Sequence, residues 1–131
     1  MLGVAKDVAF LGAVLNPLPY IKRATALVNT ANYAGWENVL AEALAVGTPA
    51  IATDCDFGPR EILAGGEFGT LAPPGDVDAI AQALARLVDC DPATAAAERT
   101  RGRQRAQDFT AEKSARRYAD LIEGIMVRGK V

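Results

Sequence analysis

The sequence predicts an α/β domain centred on a partial, doubly wound parallel sheet of three or four strands, with helices on both faces. Short apolar segments at 7–12, 24–29 and 50–53 have the length and composition of buried strands. Segments with helical periodicity or helix-capping residues follow each of them. Strands that alternate with helices in this way are joined by right-handed crossovers, which makes the sheet parallel.

The segment between Gly35 and Gly47 has the clearest helical pattern. Its apolar residues recur at three- and four-residue intervals, as expected for one buried helix face: Val39, Leu40, Ala43, Leu44 and Val46. Gly47 can adopt the left-handed conformation that ends a helix, and the Thr48-Pro49 pair after it cannot continue the helix. The loop before this helix leaves the carboxyl end of the 24–29 strand, where open α/β sheets bind ligands.

Prolines and capping residues place the remaining elements. Pro17 and Pro19 open a short helix, "DFGPREILA" (56–64) contains another, and 65–76 supplies a turn and one more strand. Three further helices are expected to begin at Asp76, Asp91 and Thr110. The first of these has an apolar stripe: Ile80, Leu84, Leu87 and Val88. The last is expected to be buried through Tyr118, Leu121, Ile122 and Ile125.

Composition excludes several classes of protein. The 131 residues have room for one domain with its own core. The chain has no histidine, which excludes a Ser-His-Asp or Cys-His nucleophile and zinc sites that need imidazole. Cys55 is expected to fill the core, and two cysteines without a signal peptide predict reduced thiols in the cytoplasm. No apolar stretch approaches the roughly 20 residues of a membrane span.

Basic residues are concentrated after residue 98, and four of them are spaced two apart: Arg99, Arg101, Arg103 and Arg105. That spacing scatters guanidinium groups around a helix instead of lining one groove. No aromatic residues lie between the arginines. A solvated helix surface is therefore the favoured interpretation over nucleic-acid binding.

Three separated segments resemble one known family. "NPLPYIKRA", "NYAGWENVLAEALAVGTPAIATDC" and "FGPREIL" are similar, in this order, to the C-terminal, Rossmann-like domain of the family 4 retaining glycosyltransferases of GT-B architecture, also called group 1. The resemblance covers about residues 6–90. It implies one truncated domain over 1–131, with C-terminal helices at 91–131. It also implies the donor-binding part of an enzyme that transfers a sugar from a nucleoside-diphosphate sugar to an acceptor in polysaccharide or glycoconjugate synthesis. The chain alone is expected to be inactive.

The family pattern is Ser-x-x-Glu-Gly-(aromatic)-x-Asn-Val-x-x-Glu-Ala, and its two glutamates hold the donor. Here the second is Glu42, but the first is replaced by Ala34 and the serine by Ala31. Ala34 thus occupies the catalytic position of the lost acid. Because a strand-end loop is usually exposed, Ala34→Glu is expected to cost little stability and to recover sugar recognition, more so when combined with Glu37→Gly.

The resemblance also assigns the other donor-binding positions. The backbone of Gly35, Trp36 and Glu37 would contact the diphosphate, Asn38 and Val39 start the helix, and Glu42 would accept hydrogen bonds from ribose hydroxyls. No metal is expected. Simpler roles stay open: Glu42 as an ordinary exposed glutamate, and Asn38 or Glu37 as a helix cap. Arg60 and Glu61 either tie their helix to the donor loop or form a local ion pair.

Two alternatives remain at this stage. The chain could be an inert remnant or assembly module that keeps the fold while Ala31, Ala34 and Glu37 have abolished the sugar site. The partner could be a complementing N-terminal chain or a second copy, bound through the Val8–Leu11 edge of the expected 7–12 strand, because exposed apolar edges recruit partners.

Overall fold

The computed structural model describes residues 2–128; Met1 and residues 129–131, at the ends of the expected domain, lie outside the described residues. Its centre is a parallel three-stranded sheet. The strands are β1 (Leu27–Asn29), β2 (Ala50–Thr53) and β3 (Thr70–Ala72), in the spatial order β1-β2-β3. The expected α/β fold with a parallel sheet is confirmed.

Six helices surround the sheet in the described part of the chain. They are α1 (Leu18–Arg23), α2 (Asn38–Val46), α3 (Pro59–Ile62), α4 (Val77–Val88), α5 (Pro92–Ala106) and α6 (Ala111–Arg128). Short 3-10 turns occur at Ala5–Asp7, Ala64–Gly66 and Gln107–Phe109. Among residues 2–128, no helix combines the length and the apolar character needed to cross a bilayer.

The core lies against β2, whose four residues are all buried. Ala50 and Ala52 point to the face that is covered by α2 and α3, where Leu40, Leu44, Ile62 and Leu63 are buried. Because alternate side chains of a strand point to opposite faces, Ile51 and Thr53 lie on the other face. That face is also buried, and α4 contacts both β2 and β3.

The predicted helix ends are confirmed. Gly47 adopts the left-handed conformation, with φ 79° and ψ 31°, and ends α2. The Asp76 carboxylate accepts from the Ala79 amide at 2.9 Å at the start of α4. The Asp91 carboxylate accepts from the amides of Ala93 and Thr94, and hydrogen bonds from the Thr94 side chain and amide hold the pKa of Asp91 below its usual value.

The arginines of α5 fasten this helix to the rest of the domain. Arg99 donates to the Gly47 carbonyl at 3.1 Å, and Arg101 donates to the Glu67 carbonyl at 2.9 Å. Arg105 donates to the carbonyls of Ile62 and Glu61 at 3.0 and 2.6 Å. The interpretation of these arginines as solvated surface is therefore wrong for Arg99 and Arg105, which are half-buried, whereas Arg101 and Arg103 are exposed as predicted. Arg99, Arg101 and Arg105 satisfy carbonyl groups that their own elements leave unpaired.

The predicted strand at 7–12 does not form. Ala5–Asp7 is a 3-10 turn, the residues after it carry no regular structure, and their side chains are exposed. A strand needs a neighbour for its backbone hydrogen bonds, and none of the described elements pairs with this segment. Within residues 2–128 the edge strands are β1 and β3, and the expected Val8–Leu11 sheet edge is wrong.

The prediction that α6 is buried is also wrong. Its apolar stripe is more than half exposed, at Tyr118, Leu121, Ile122 and Ile125. The main contacts of α6 are with the turn Gln107–Phe109. Similarly, α4 buries Ala83 completely, whereas Val88 of its predicted stripe is exposed. An apolar stripe shows that a helix is amphipathic but not which element covers it.

A matched pair of leucine variants tests this core. Leu44 is 1% exposed, and its Cδ2 lies against Gly102 of α5, whereas Leu15 is fully exposed. Leu44→Ala should lower the free energy of unfolding by about 2–5 kcal/mol because it leaves a cavity. Leu15→Ala should change it by less than about 0.5 kcal/mol. Urea unfolding measures both, and equal effects would contradict the α2–α5 packing.

Candidate functional site

Two loops meet at the carboxyl ends of the strands. One loop (30–37) follows β1, and the other (54–58) follows β2. The Thr53 hydroxyl donates to the Ala31 carbonyl and joins the two loops. The Asp54 amide donates to the Ala72 carbonyl at 2.7 Å, which fixes the second loop to β3. This is the edge of the sheet at which the sequence predicts ligand binding.

The loops approach each other most closely at Gly35 and Gly58. A Cβ atom at position 58 would overlap the Gly35 carbonyl oxygen, and Gly58 also has a positive φ of 31°. Only glycine can satisfy both conditions. Cys55, in the same loop, is buried, as its predicted role in the core requires.

Glu37 immediately precedes α2 but does not cap it. Its backbone is extended, with φ −101° and ψ 96°, and its side chain makes no hydrogen bond to the amides of the helix. Instead its carboxylate accepts from the side-chain amide of Asn29, whose carbonyl oxygen accepts from the Ala31 amide at 3.0 Å. Asn38 is the first helical residue. The capping roles considered for Glu37 and Asn38 are therefore wrong, and the first amides of α2 have no side-chain cap.

A shallow groove of about 260 Å³ brings three of the predicted site residues together. Trp36, Asn38 and Glu42 line it, together with Ala41 and Ala45 of α2, Ala106 at the end of α5, and Phe109 in the turn after α5. Asn38 and Glu42 share this face because they are four residues apart on the helix. Within the described part of the chain, Glu42 forms no ion pair or side-chain hydrogen bond.

Phe109 was not predicted as a site residue. Its ring contacts Trp36 edge to face, with 4.9 Å between the centroids and 73° between the planes. The Arg105 guanidinium lies over the Phe109 ring, 4.7 Å from its centroid. Trp36 is thus held against the 3-10 turn that follows α5. No local pattern in the sequence identifies this contact, because the two aromatic residues are far apart along the chain.

The residues on either side of Phe109 in the sequence form an ion-pair network. Lys113 contacts the Asp108 carboxylate at 2.9 Å, and Arg105 contacts it at 3.1 Å. The hydrogen bond from Lys113 and its positive charge, followed by Arg105, hold the pKa of Asp108 below its usual value. The Asp108 carboxylate thus pairs with the same Arg105 guanidinium that lies over Phe109.

Ala34 is placed differently from expectation. It is only 6% exposed and does not line the groove, although it lies in a strand-end loop. Gly35 is exposed and Val39 is half-buried. The premise that position 34 is exposed is therefore wrong, and a larger side chain there should cost stability.

Arg60 forms a two-point ion pair with Asp54 through its Nε, at 3.0 Å, and its Nη2. It joins the start of α3 to the loop after β2. Among residues 2–128, Arg60 forms neither the predicted tie to the donor loop nor an ion pair with Glu61. The Glu61 side chain is exposed.

A larger cavity, of about 720 Å³, lies elsewhere. It is lined by the starts of β2 and β3 and by parts of α4 and α5, including Ala50, Thr70, Ala83 and Gly102. It therefore opens at the amino ends of the strands and contains none of the predicted site residues. Ligands of open α/β sheets bind at the carboxyl ends. Its size alone does not make it the better candidate.

Comparison with known proteins identifies the family. The family model described as "Glycosyl transferases group 1" matches residues 1–90. The chain belongs to the group 1 glycosyltransferases. A phosphatidyl-myo-inositol mannosyltransferase of Mycobacterium leprae is 39% identical over 68% of the chain. An exopolysaccharide phosphotransferase of Streptomyces coelicolor is 36% identical over 69% of the chain.

A solved structure shares the fold of this group 1 member. The structure of sucrose-phosphate synthase from Thermosynechococcus elongatus matches 83% of the chain with a TM-score of 0.70 and 32% identity. The chain spans only 27% of that protein, 24% of the mannosyltransferase and 9% of the phosphotransferase.

Gly58→Ala tests the contact between the two loops. Gly75→Ala is the matched control, because Gly75 has a φ of 80° but no atom near its Cβ position. The control should cost about 1 kcal/mol of stability for the left-handed backbone. Gly58→Ala should cost at least about 2 kcal/mol more, because backbone must also move. Thermal unfolding of both variants measures the difference, and equal losses would show that the loops do not touch.

Ala34→Glu tests the burial of the loop. A buried carboxylate without a partner should lower the free energy of unfolding by roughly 2 kcal/mol or more. Ala45→Glu is the control, because Ala45 is exposed on α2 and should tolerate the change within about 0.5 kcal/mol. If urea unfolding shows that Ala34→Glu is also tolerated, the loop opens more readily than this structure indicates.

Proposed function

We propose that this chain is the donor-binding part of a retaining glycosyltransferase of the family 4, GT-B type, which transfers a sugar from a nucleoside-diphosphate sugar to an acceptor. The single observation that carries the proposal is the groove at the start of α2, where Trp36, Asn38 and Glu42 come together. This is the position at which the family resemblance locates the nucleotide. Synthesis of a polysaccharide or glycoconjugate is the expected setting.

Each residue of the groove has a distinct task in this proposal. Glu42, which forms no ion pair among the described residues, accepts hydrogen bonds from the two ribose hydroxyls. The backbone of Gly35 to Glu37 and the first amides of α2, at Asn38 and Val39, face the diphosphate. Since no side chain caps α2, these amides are available to an anion.

The chemical step that these groups serve is departure of the diphosphate. As the bond between the sugar and the phosphate breaks, negative charge grows on the leaving oxygen, and backbone amides stabilise it without a metal ion. Ala34 supplies no carboxylate to the sugar. The domain therefore offers more to the nucleotide than to the sugar, and turnover is expected only together with the rest of the enzyme.

A second candidate function is an inert remnant or assembly module. It is favoured by the burial of Ala34 and by the carboxylate of Glu37 beside the start of α2. A negative charge at this end of a helix opposes the binding of another anion. In this alternative, the fold serves only to bind another protein chain.

The partner and location predicted from the sequence belong to the same proposal. The exposure of Val8, Phe10 and Leu11 supports a second copy or a complementing N-terminal chain as a partner at this segment. A cytoplasmic location stays a prediction from the thiol content.

Calorimetric titration with UDP, GDP and ADP separates the two functions. If the chain binds a donor, one of these ligands should bind weakly, and Glu42→Ala should weaken that binding by about 10- to 150-fold because a hydrogen bond to a charged group is lost. Glu123→Ala is the control, because Glu123 is an exposed glutamate in the middle of α6.

Two results would contradict the donor-binding proposal. One is the absence of binding by all three diphosphates, which supports the inert module. The other is binding that Glu42→Ala and Glu123→Ala affect equally, which removes Glu42 from the ribose contact.

A further inference from the structure

Phe109 connects the loop 30–37 to the hydrophobic core. Its ring contacts Trp36 of the loop edge to face, with 4.9 Å between the centroids. The same side chain is half-buried and packs against the core cluster that includes Leu40 and Leu44. Both aromatic residues line the groove at the start of α2. A residue outside the sequence motif thus contacts the side chain next to the α2 amides.

The loop 30–37 depends on this contact because its other attachments lie elsewhere. It has no regular secondary structure, and the hydrogen bonds that involve side chains are near its ends, at Ala31 and Glu37. Gly35 meets the neighbouring loop through its carbonyl group but has no side chain. The ring of Trp36 is about half exposed. Its covered part is therefore what fastens the middle of the loop to the domain.

Arg105 holds Phe109 in turn. Its guanidinium lies 4.7 Å from the Phe109 centroid and 5.6 Å from that of Phe68. The same group donates to the carbonyls of Ile62 and Glu61, at 3.0 and 2.6 Å. A cation that is bonded to α3 has little freedom to move away from the ring beneath it. The ring that contacts Trp36 is therefore fixed by two elements, the core and the end of α5.

We propose that Phe109 is a positioning residue of the donor site, whose ring holds Trp36 and with it the amides of Gly35 to Glu37. It acts through Trp36 and not by contact with the phosphates. Affinity falls with the fraction of the chain whose loop is in the binding position. Loss of the ring therefore weakens the ligand without removing any group that contacts the diphosphate. The inference rests on the donor function proposed above.

Fluorescence tests the ring contact directly, because Trp36 is the only tryptophan of the chain. Phe109→Leu keeps an apolar side chain but removes the ring. The emission of Trp36 should move to longer wavelength, and its quenching by acrylamide should increase by about twofold, since the indole loses the ring that covers part of it. Phe68→Leu is the matched control and should leave both values unchanged. Phe68 is also half-buried and also lies beneath Arg105.

Calorimetric titration with UDP, GDP and ADP tests the effect on the ligand. Phe109→Leu should weaken binding of the diphosphate that the unaltered chain binds by about three- to tenfold, which is the worth of one aromatic pair. Phe109→Tyr keeps the ring and should stay within about twofold of the unaltered chain, as should Phe68→Leu. A general loss of packing would affect the two leucine variants alike.

Nuclear Overhauser effects in the unaltered chain keep the contact testable if Phe109→Leu fails to fold. Protons of the Trp36 and Phe109 rings should give cross-peaks, because the centroids are 4.9 Å apart. The inference is overturned by the absence of these cross-peaks, by equal Trp36 quenching in Phe109→Leu and Phe68→Leu, or by equal affinities of these two variants. Binding that Phe109→Leu leaves unchanged rejects only the positioning role. Absence of binding by all three diphosphates rejects the donor function itself.

Discussion

The burial of β2 on both faces is the constraint on which the rest of this domain depends. One face receives α2 and α3, and α5 is fastened over α2 by arginines that donate to carbonyls of its neighbours. The other face is shared with α4. A four-residue strand made of small and branched residues allows this close packing. Gly102 of α5 lies against Leu44 of α2 for the same reason, since a larger residue would separate the helices.

The site depends on that packing because its two loops leave β1 and β2 at fixed positions. The bond from Thr53 to Ala31 and the close approach of Gly58 to Gly35 hold the loops together. The α5 arginines matter here too, since Arg105 lies over Phe109, and Phe109 holds Trp36. The groove is therefore built by contacts between elements distant in sequence. These contacts hold its two walls, α2 and the end of α5, together.

The sequence predicted those parts of the structure that depend on neighbouring residues. The end of α2 at Gly47 and the cap at Asp91 follow from local backbone chemistry, and the motif around Glu42 located the groove. The predictions that were wrong, and the contacts that were missed, depend on residues distant in the sequence. Whether residues 7–12 pair or α6 is covered depends on which other elements reach them. The burial of Ala34 and the contact of Trp36 with Phe109 depend on tertiary packing, which a motif does not describe.

Charge at the start of α2 limits what the groove can bind alone. The helix dipole favours an anion by about 0.3–1 kcal/mol. A nearby negative charge opposes a second anion, and half-buried Glu37 immediately precedes α2, with its carboxylate bonded to the Asn29 side chain. Arg60, at the start of α3, is already paired with Asp54 of the neighbouring loop. In the proposed donor site, the α2 amides alone would therefore not offset the charge of Glu37, and a further cation close to Gly35 and Trp36 would strengthen diphosphate binding.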